Sequence, residues 1–433
     1  MRKLFLILPL ITAAAPSVVA QSDPLETANQ SVREVTKQVL SFTLEERTRW
    51  EEKFGVTFGK AVNQQDMLSR LRFGAQLKPT SWLRVYAMGQ DTRVPFYGTT
   101  APNTMRDTVD LQEAYVELFG ARKTGFIASF GRQMLDYGET RLIGSPQWSN
   151  VSRTYDFGRA GYRTAKARLE VLLVSPVKVL PDAFNKPELG DRIFGTYDVF
   201  PSVWRKSSFD VYMLRHSQNK IGGWTGAGTL GTNSFGGRWY GSLPNKLGYS
   251  FEGIGQTGHL GPLTQRAYAL FFGVTRDVAV KRKQVRLSGE YKLASGTNAG
   301  AVNSGTFDQL SPSNHDKFGH EDLFGWRNLR TLRSVDTINL SKAFALNIMY
   351  SNHWLYSATD SLYSSQGTSV AISKTGAAGT HVGQETDAFV TYKYQHHTFG
   401  AGFGHFYKGE FVANATSHIN PRYFYVFQQY TLK

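Results

Sequence analysis

From Ser41 onward the chain alternates two kinds of residue with period two, and the polar kind repeatedly includes arginine. In Phe42 to Glu51 one set is Phe42, Leu44, Glu46, Thr48 and Trp50, and the other is Glu45, Arg47, Arg49 and Glu51. Further on, Leu71, Phe73, Ala75 and Leu77 interleave with Arg70, Arg72, Gly74 and Gln76. Val285, Leu287, Gly289 and Tyr291 interleave with Arg286, Ser288, Glu290 and Lys292. Successive side chains of a strand point to opposite faces, so these segments read as strands with one apolar and one charged face. A soluble sandwich alternates too. Yet the pattern continues through about 390 residues with no linker or change of composition, and a soluble chain that long normally splits into domains. An all-β fold, a transmembrane antiparallel β-barrel, assigns both faces. The apolar side meets lipid and the charged side a watery lumen, because Arg or Lys facing lipid at midplane costs roughly 2–4 kcal/mol.

Barrel strands need about 9–11 residues each plus turns, which predicts about 18 strands (16–18). A barrel that wide has room for an aqueous channel. The 42 glycines and 13% aromatic residues suit many tight turns and aromatic girdles; Trp50, Trp82 and Trp204 read as girdle residues, with sugar stacking as the other reading. Polar stretches suited to long loops are Phe96 to Asp107, Asn219 to Gly236, Ser295 to Asn328 and Tyr363 to Gly383. Near the C-terminus Phe424, Val426, Gln428, Tyr430 and Leu432 alternate, which resembles the terminal strand read by the barrel-assembly machinery, although Leu432 stands where Phe is usual and Lys433 follows it.

Arg2 and Lys3, an apolar Leu4 to Ala15 and the small-residue site Val18-Val19-Ala20 predict a signal peptide over 1–20. A polar segment, 21–40, is expected to be periplasmic, and the barrel to occupy 41–433. The apolar stretch is too short for a membrane-spanning helix. The absence of cysteine fits an exported chain. Forty-nine basic residues minus Arg2 and Lys3 leave 47 against 34 acidic ones, a balance of +13. Such an excess favours anionic partners, and export excludes nucleic acid.

Two dense clusters lie mid-chain. Gly131-Arg132-Gln133-Met134-Leu135-Asp136-Tyr137-Gly138-Glu139-Thr140-Arg141-Leu142-Ile143-Gly144 begins as a strand, breaks at glycines and carries charges of both signs. Trp148-Ser149-Asn150-Val151-Ser152-Arg153-Thr154-Tyr155-Asp156 follows at once. Charge packed this densely suggests a polar interior. Together the clusters resemble the signature of the alginate-export family of outer-membrane barrels. Further resemblance lies at Leu293 to Gly296, Thr306 to Leu310, Phe318-Gly319 through Asn328-Leu329, Gly383 to Asp387 and Phe406 to Phe411. The resemblance implies a monomeric barrel of about 18 strands in the outer membrane, with a narrow arginine-rich lumen that passes an anionic polysaccharide; in the best-known relatives the polymer is alginate.

A polyuronate carries one carboxylate per sugar. Arginine suits its passage, because its planar fork matches carboxylates and keeps its charge. Binding must stay weak and multi-site, or the polymer would lodge. The foremost pore-lining candidates are Arg132, Arg141 and Arg153, with Asp136, Glu139 and Asp156 as partners; Arg132 follows Phe130 by two, and a place at the rim is its other reading. The bland alternative is a salt-bridge ladder that stiffens the wall. Alternation adds Arg47, Arg49, Arg70, Arg72, Arg84, Lys166, Arg168, Arg286 and Lys292 to the lumen. His315 and His320 lie in a polar stretch beside Asp316, Glu321 and Asp322, where a metal site is the minor reading. No cofactor motif is present. Outer-membrane lipid, the barrel-assembly machinery and an anionic polysaccharide or other anionic solute are the expected partners. A general or small-anion porin on the same barrel is the competing function. An outer-membrane enzyme would need a Ser/His/acid or Asp/His set, and no such grouping is recognisable.

Overall fold

The computed structural model describes residues 39–432 apart from 59–62, 98–100, 120–123, 205, 220–227, 282, 316 and 417–418. The expected signal peptide and almost all of segment 21–40 lie outside the described residues. Eighteen antiparallel strands close into one barrel. The first nine are β1 (Leu40–Phe54), β2 (Asn63–Leu77), β3 (Leu83–Arg93), β4 (Asp107–Leu118), β5 (Gly125–Arg132), β6 (Tyr155–Arg163), β7 (Arg168–Lys178), β8 (Asp191–Trp204) and β9 (Ser207–Gln218). The rest are β10 (Leu230–Leu243), β11 (Leu247–Leu260), β12 (Leu263–Val280), β13 (Lys283–Ala294), β14 (Leu329–Asn339), β15 (Phe344–Leu355), β16 (His381–Tyr394), β17 (His397–Lys408) and β18 (Arg422–Leu432). Each strand pairs with its sequence neighbours. β1 pairs with β2 from Leu40↔Leu77 to Phe54↔Asn63 and with β18 from Leu44↔Leu432 to Phe54↔Arg422, so no sheet edge remains. Closure is obligatory in hydrocarbon, where an unpaired backbone group finds no water.

The period-two pattern is what sorts the two faces. Phe42, Leu71, Phe73, Phe126, Phe130, Val171, Leu173, Phe272 and Leu332 stand exposed on the outside. Glu45, Arg47, Arg49 and Glu51 of β1 and Arg70 and Arg72 of β2 point inward and are buried. Trp204 at the end of β8 meets Trp239, with ring centroids 6.4 Å apart, and Trp50 meets Phe424 at 5.7 Å, both outside the wall.

Connections from even to odd strands are short, such as 164–167, 244–246 and 340–343. Those from odd to even strands are mostly long, such as 94–106, 133–154, 295–328, 356–380 and 409–421. Barrels of this kind place short turns in the periplasm and long loops outside the cell. Both barrel ends of the chain, in β1 and β18, lie on the short-turn side. The stretch predicted as a loop over Asn219 to Gly236 is shorter than expected, because β10 begins at Leu230. Its Gly231, Gly236 and Gly237 lie within the strand; Gly236 makes room for the Tyr212 ring, which an added Cβ would meet at 2.3 Å.

Loops 133–154 and 295–328 fold down into the barrel. Leu135, Tyr137, Leu142 and Ile143 of the first and Phe307, Leu310, Phe318, Phe324 and Trp326 of the second join one apolar cluster. The wall contributes Leu172, Ile193, Tyr212, Leu214, Ile254 and Phe271 to the same cluster. The expectation of a wholly polar interior around Gly131 to Gly144 is thereby corrected. Its charged residues alternate with apolar ones that pack against the inner wall. Gly131 itself has φ +120, and a Cβ there would sit 2.3 Å from the Ala114 carbonyl oxygen, so only glycine lets β5 leave the wall at this point.

Arginine placed on the lipid face is expected to unsettle this arrangement where arginine on the lumen face does not. Phe272→Arg, in the middle of β12, is expected to cost about 2–4 kcal/mol in a urea titration of the vesicle-embedded barrel.

Candidate channel lumen and its two inward loops

Loop 133–154 reaches the wall formed by β1 and β2. Arg47 Nη1 donates to the Gln147 carbonyl oxygen at 2.9 Å, and its Nη2 to those of Trp148 and Ser149 at 3.0 and 3.1 Å. Arg70 Nη1 donates to the carbonyls of Gln147 and Ser149, both at 2.9 Å, and Arg49 Nη1 to that of Trp148 at 2.6 Å. Arg72 donates to the Gln147 side chain at 3.1 Å and the Ser152 hydroxyl at 2.9 Å. Carboxylates hold two of these guanidinium groups from the wall itself: Glu45 lies 2.7 Å from Arg70, and Glu51 2.5 Å from Arg49. The Trp148 ring is covered on both faces. The Arg49 guanidinium carbon is 3.9 Å from its centroid, and the His315 ring stacks on it at 4.6 Å. Asn150 anchors the same loop through its side-chain amide, which donates to the carbonyls of Ser69 and Met105 at 2.9 and 2.8 Å.

The two loops are also tied to each other. Ile143 and Ser311 form a parallel bridge: Ser311 N donates to Leu142 O at 2.8 Å, and Gly144 N to Ser311 O at 3.0 Å. Gly144 leaves the space for this approach, since a Cβ there would lie 3.0 Å from Ser313 N. Arg153 donates to the Pro312 carbonyl at 2.7 Å and that of Gly144 at 3.2 Å. The second loop is held to the wall by Asp308, whose carboxylate takes His216 Nδ1 at 2.6 Å and Arg327 at 3.2 Å, while His216 Nε2 meets Asp191 at 3.0 Å.

The other candidates fall in different places. Arg141 is buried, paired with Glu252 at 2.8 Å and lying over the Phe271 ring at 3.5 Å. Glu139 takes a bond from Arg238 of β10, and the Asp136 carboxylate caps Ser145 N at 2.7 Å. Lys292 is buried, 2.7 Å from Glu290, and bonds the Lys317 carbonyl of the second loop. Arg84 pairs with Glu117 at 2.7 Å, Arg168 with Glu170 at 2.5 Å, and Arg286 with Asp277 at 2.7 Å, all on the inner wall towards the short-turn end. Beside them Arg159, Arg163, Arg168, Glu117 and Glu170 line a small cavity of about 70 Å³.

Two expectations need correction. Arg132 stands on the same face of β5 as exposed Phe130, at the loop end, where it forms a two-pronged pair with Asp156 at 2.9 and 3.0 Å and bonds the Asn185 carbonyl. Arg132 follows Phe130 by two, so period two sends both outward, and its pair with Asp156 braces the outer rim. Lys166 is exposed in the turn 164–167, whose Thr164 hydroxyl accepts from the Lys166 and Ala167 amides, so it lies beyond the strand on which alternation placed it.

On the loop side a cavity of about 720 Å³ opens above this plug, lined among others by Arg49, Lys53, Trp148, Arg153, Glu321 and Arg422. Residues the sequence reading passed over complete the inner surface. Asn150 and Trp148 sit inside the second cluster, and Asp308 and Glu385 inside the family blocks; their membership of those blocks was the available signal. Gly319 of the second loop lies directly on the Glu385 carboxylate, which a Cβ would meet at 2.2 Å. His216 and Glu252 carried no signal beyond alternation.

Two loop carboxyls respond to this setting in opposite ways. Burial raises the Asp308 carboxyl, but the His216 ring and Arg327 outweigh it and hold the group below the ordinary carboxylate range. Burial, with the Asp387 charge beside it, pushes Glu321 well above that range.

An inward-folded plug inside a closed eighteen-strand wall defines an outer-membrane β-barrel channel for solute passage. A family profile described as "Alginate export" matches residues 37–426, and the chain belongs to that family. No curated protein matches it in sequence. Among solved structures the fold is similar to Pseudomonas aeruginosa OccK8 (OprE), at 9% identity and TM-score 0.61, covering 91% of this chain and 98% of that one. Pseudomonas aeruginosa OccK11 (OpdR) is similar at 10% identity and TM-score 0.62, covering 91% and 96%. Pseudomonas aeruginosa OpdK, crystallised with vanillate, is similar at 9% identity and TM-score 0.59, covering 91% and 98%.

Two expected outcomes follow from the buried charges. Arg141→Met strands Glu252 in the interior and is expected to lower stability by about 3–5 kcal/mol, read from urea unfolding, and Arg141→Met with Glu252→Gln to recover part of that loss. The docking of loop 295–328 is expected to peak near pH 4–5. The depressed Asp308 gives stability above its ordinary pKa that is lost as pH falls through its folded value. The raised Glu321 favours the docked state in its protonated form and weakens docking as pH rises. Proteolysis of the loop across pH measures both limbs; Asp308→Asn should remove the acid limb and Glu321→Gln should shrink the alkaline one.

Proposed function

We propose that the barrel passes anionic solutes by passive, charge-selected diffusion, and that an acidic polysaccharide of the alginate type is the solute it is built for. The observation that carries this reading is the wall of β1 and β2. Arg47, Arg49, Arg70 and Arg72 face the lumen there against Glu45 and Glu51, and Arg47 has no carboxylate within ion-pair distance among the described residues. The family's description supports the polymer. Further basic groups lie along both approaches, Arg153 at the outer cavity and Arg84, Arg159 and Arg168 towards the periplasmic end. Each sits beside a carboxylate or carbonyl that fixes its rotamer and moderates its field, which suits weak, repeated binding. The channel works as a single barrel, with its own loops forming the constriction.

A second reading, a channel for small carboxylates, rests on the outer cavity. Its size, about 720 Å³, falls in the range of sites for single small molecules. OpdK, of similar fold, was crystallised with vanillate, an aromatic carboxylate.

Reversal potentials across a planar bilayer separate these readings from a general porin. Anion selectivity is expected, reduced by Arg153→Glu, together with block by uronate oligomers on the polymer reading or by benzoate-type carboxylates alone on the small-solute reading. Cation-selective current would sink both.

A further inference from the structure

The arginines of β1 and β2 are already occupied. The carbonyl oxygens of Gln147, Trp148 and Ser149 follow one another along the chain, and Arg47, Arg49 and Arg70 donate to all three. A row of acceptors at this spacing, presented to a row of guanidinium groups, is what a bound polyanion would offer. The carbonyls satisfy hydrogen bonds, but they bring no negative charge. Arg47 and Arg70 are fully buried, and Arg47 Nε and Arg70 Nη2 have no hydrogen-bond partner among the described residues. Arg70 keeps Glu45 on its Nε, but Arg47 faces only neutral acceptors, and a buried guanidinium so placed bears a desolvation cost that a carboxylate would offset. Hydrogen bonds to an ionised acceptor are also about twice as strong as those to a neutral one.

We propose that the tip 147–149 is an internal competitor for the solute, an autoinhibitory segment that holds the carboxylate site at Arg47 and Arg70 until an anionic solute displaces it. The approach is in place. Arg49, Trp148 and Ser149 line the outer cavity, so a solute there touches the tip before it reaches the deeper arginines. Trp148 would leave its position between Arg49 and His315 as the tip withdraws. An anionic solute then opens its own path, while a neutral one leaves the lumen plugged. This inference rests on the anion-channel reading above and adds the displacement.

The chain has no cysteine, so Gln147→Cys introduces a single reporter thiol at the buried tip and leaves the backbone carbonyls in place. The full chain in vesicles is treated with a water-soluble maleimide. Galacturonate oligomers are expected to speed labelling roughly tenfold, and maltose oligomers to leave it unchanged. Arg47→Gln in the same background is expected to speed labelling with no solute present, because it removes the clamp. Heat-dependent electrophoretic mobility checks that each barrel is folded, and Arg47→Lys replaces the glutamine variant where it is not. Galacturonate that blocks ion current without changing the labelling rate overturns the displacement and leaves the anion channel standing. Equal acceleration by maltose oligomers, or no effect of Arg47→Gln in a folded barrel, also overturns it. Galacturonate that changes neither current nor labelling overturns both readings.

Discussion

Charge has to be kept out of hydrocarbon, and the rest of this molecule is arranged around that demand. A strand in a bilayer must give its backbone bonds to other strands, and period two then leaves every second side chain facing inward. Arginines in successive strands consequently gather on one inner wall. Once gathered there they repel one another and lose water, so they need acceptors. Glu45 and Glu51 supply part of the answer from within the wall. The remainder comes from a loop, through a run of backbone carbonyls. The plug is therefore as much a solution to an electrostatic problem as an obstruction.

The lumen has two unlike sides as a result. Around β1 and β2 the contacts are guanidinium to carbonyl. Across β7 to β12 an apolar surface is added, with Leu172, Ile193, Tyr212 and Phe271 packed on the loops, beside the pairs of Glu252 with Arg141, Arg238 with Glu139 and His216 with Asp308. The polar contacts orient the tip, and the apolar ones hold the stems of the loops. Burial of that apolar area resists withdrawal of a whole loop more than of its tip, which is bound through exchangeable hydrogen bonds and through the Trp148 ring packed on Tyr425 and Phe427.

Much of this was legible in the residues. Strand faces such as Glu45 to Glu51, and the loop Ser295 to Asn328, follow from alternation and its interruption. The barrel class follows from arginine on one face of many strands. What alternation cannot convey is where a loop goes once it leaves the sheet. Residues 133–154 are rich in polar groups, as a solvated loop is, yet most of them are buried. Their polarity serves hydrogen bonds inside the barrel. Parity read without strand ends also misleads. Lys166 lies past the end of its strand. Pairings such as Arg141 with Glu252 join residues from distant strands and leave no local trace.

The bridge between Ile143 and Ser311 bears on how current would flow. Backbone bonds join the two loops, and Arg153 adds a further tie through Pro312. Neither loop can be drawn out fully while the other stays without breaking bonds that are sheltered from water. The stems thus behave as one mechanical piece, while the tip 147–149 lies beyond the bridge and retains its own freedom. On the displacement proposed above, two amplitudes of gating are expected: brief, small flickers from the tip, and rare, full-sized steps when both loops leave together.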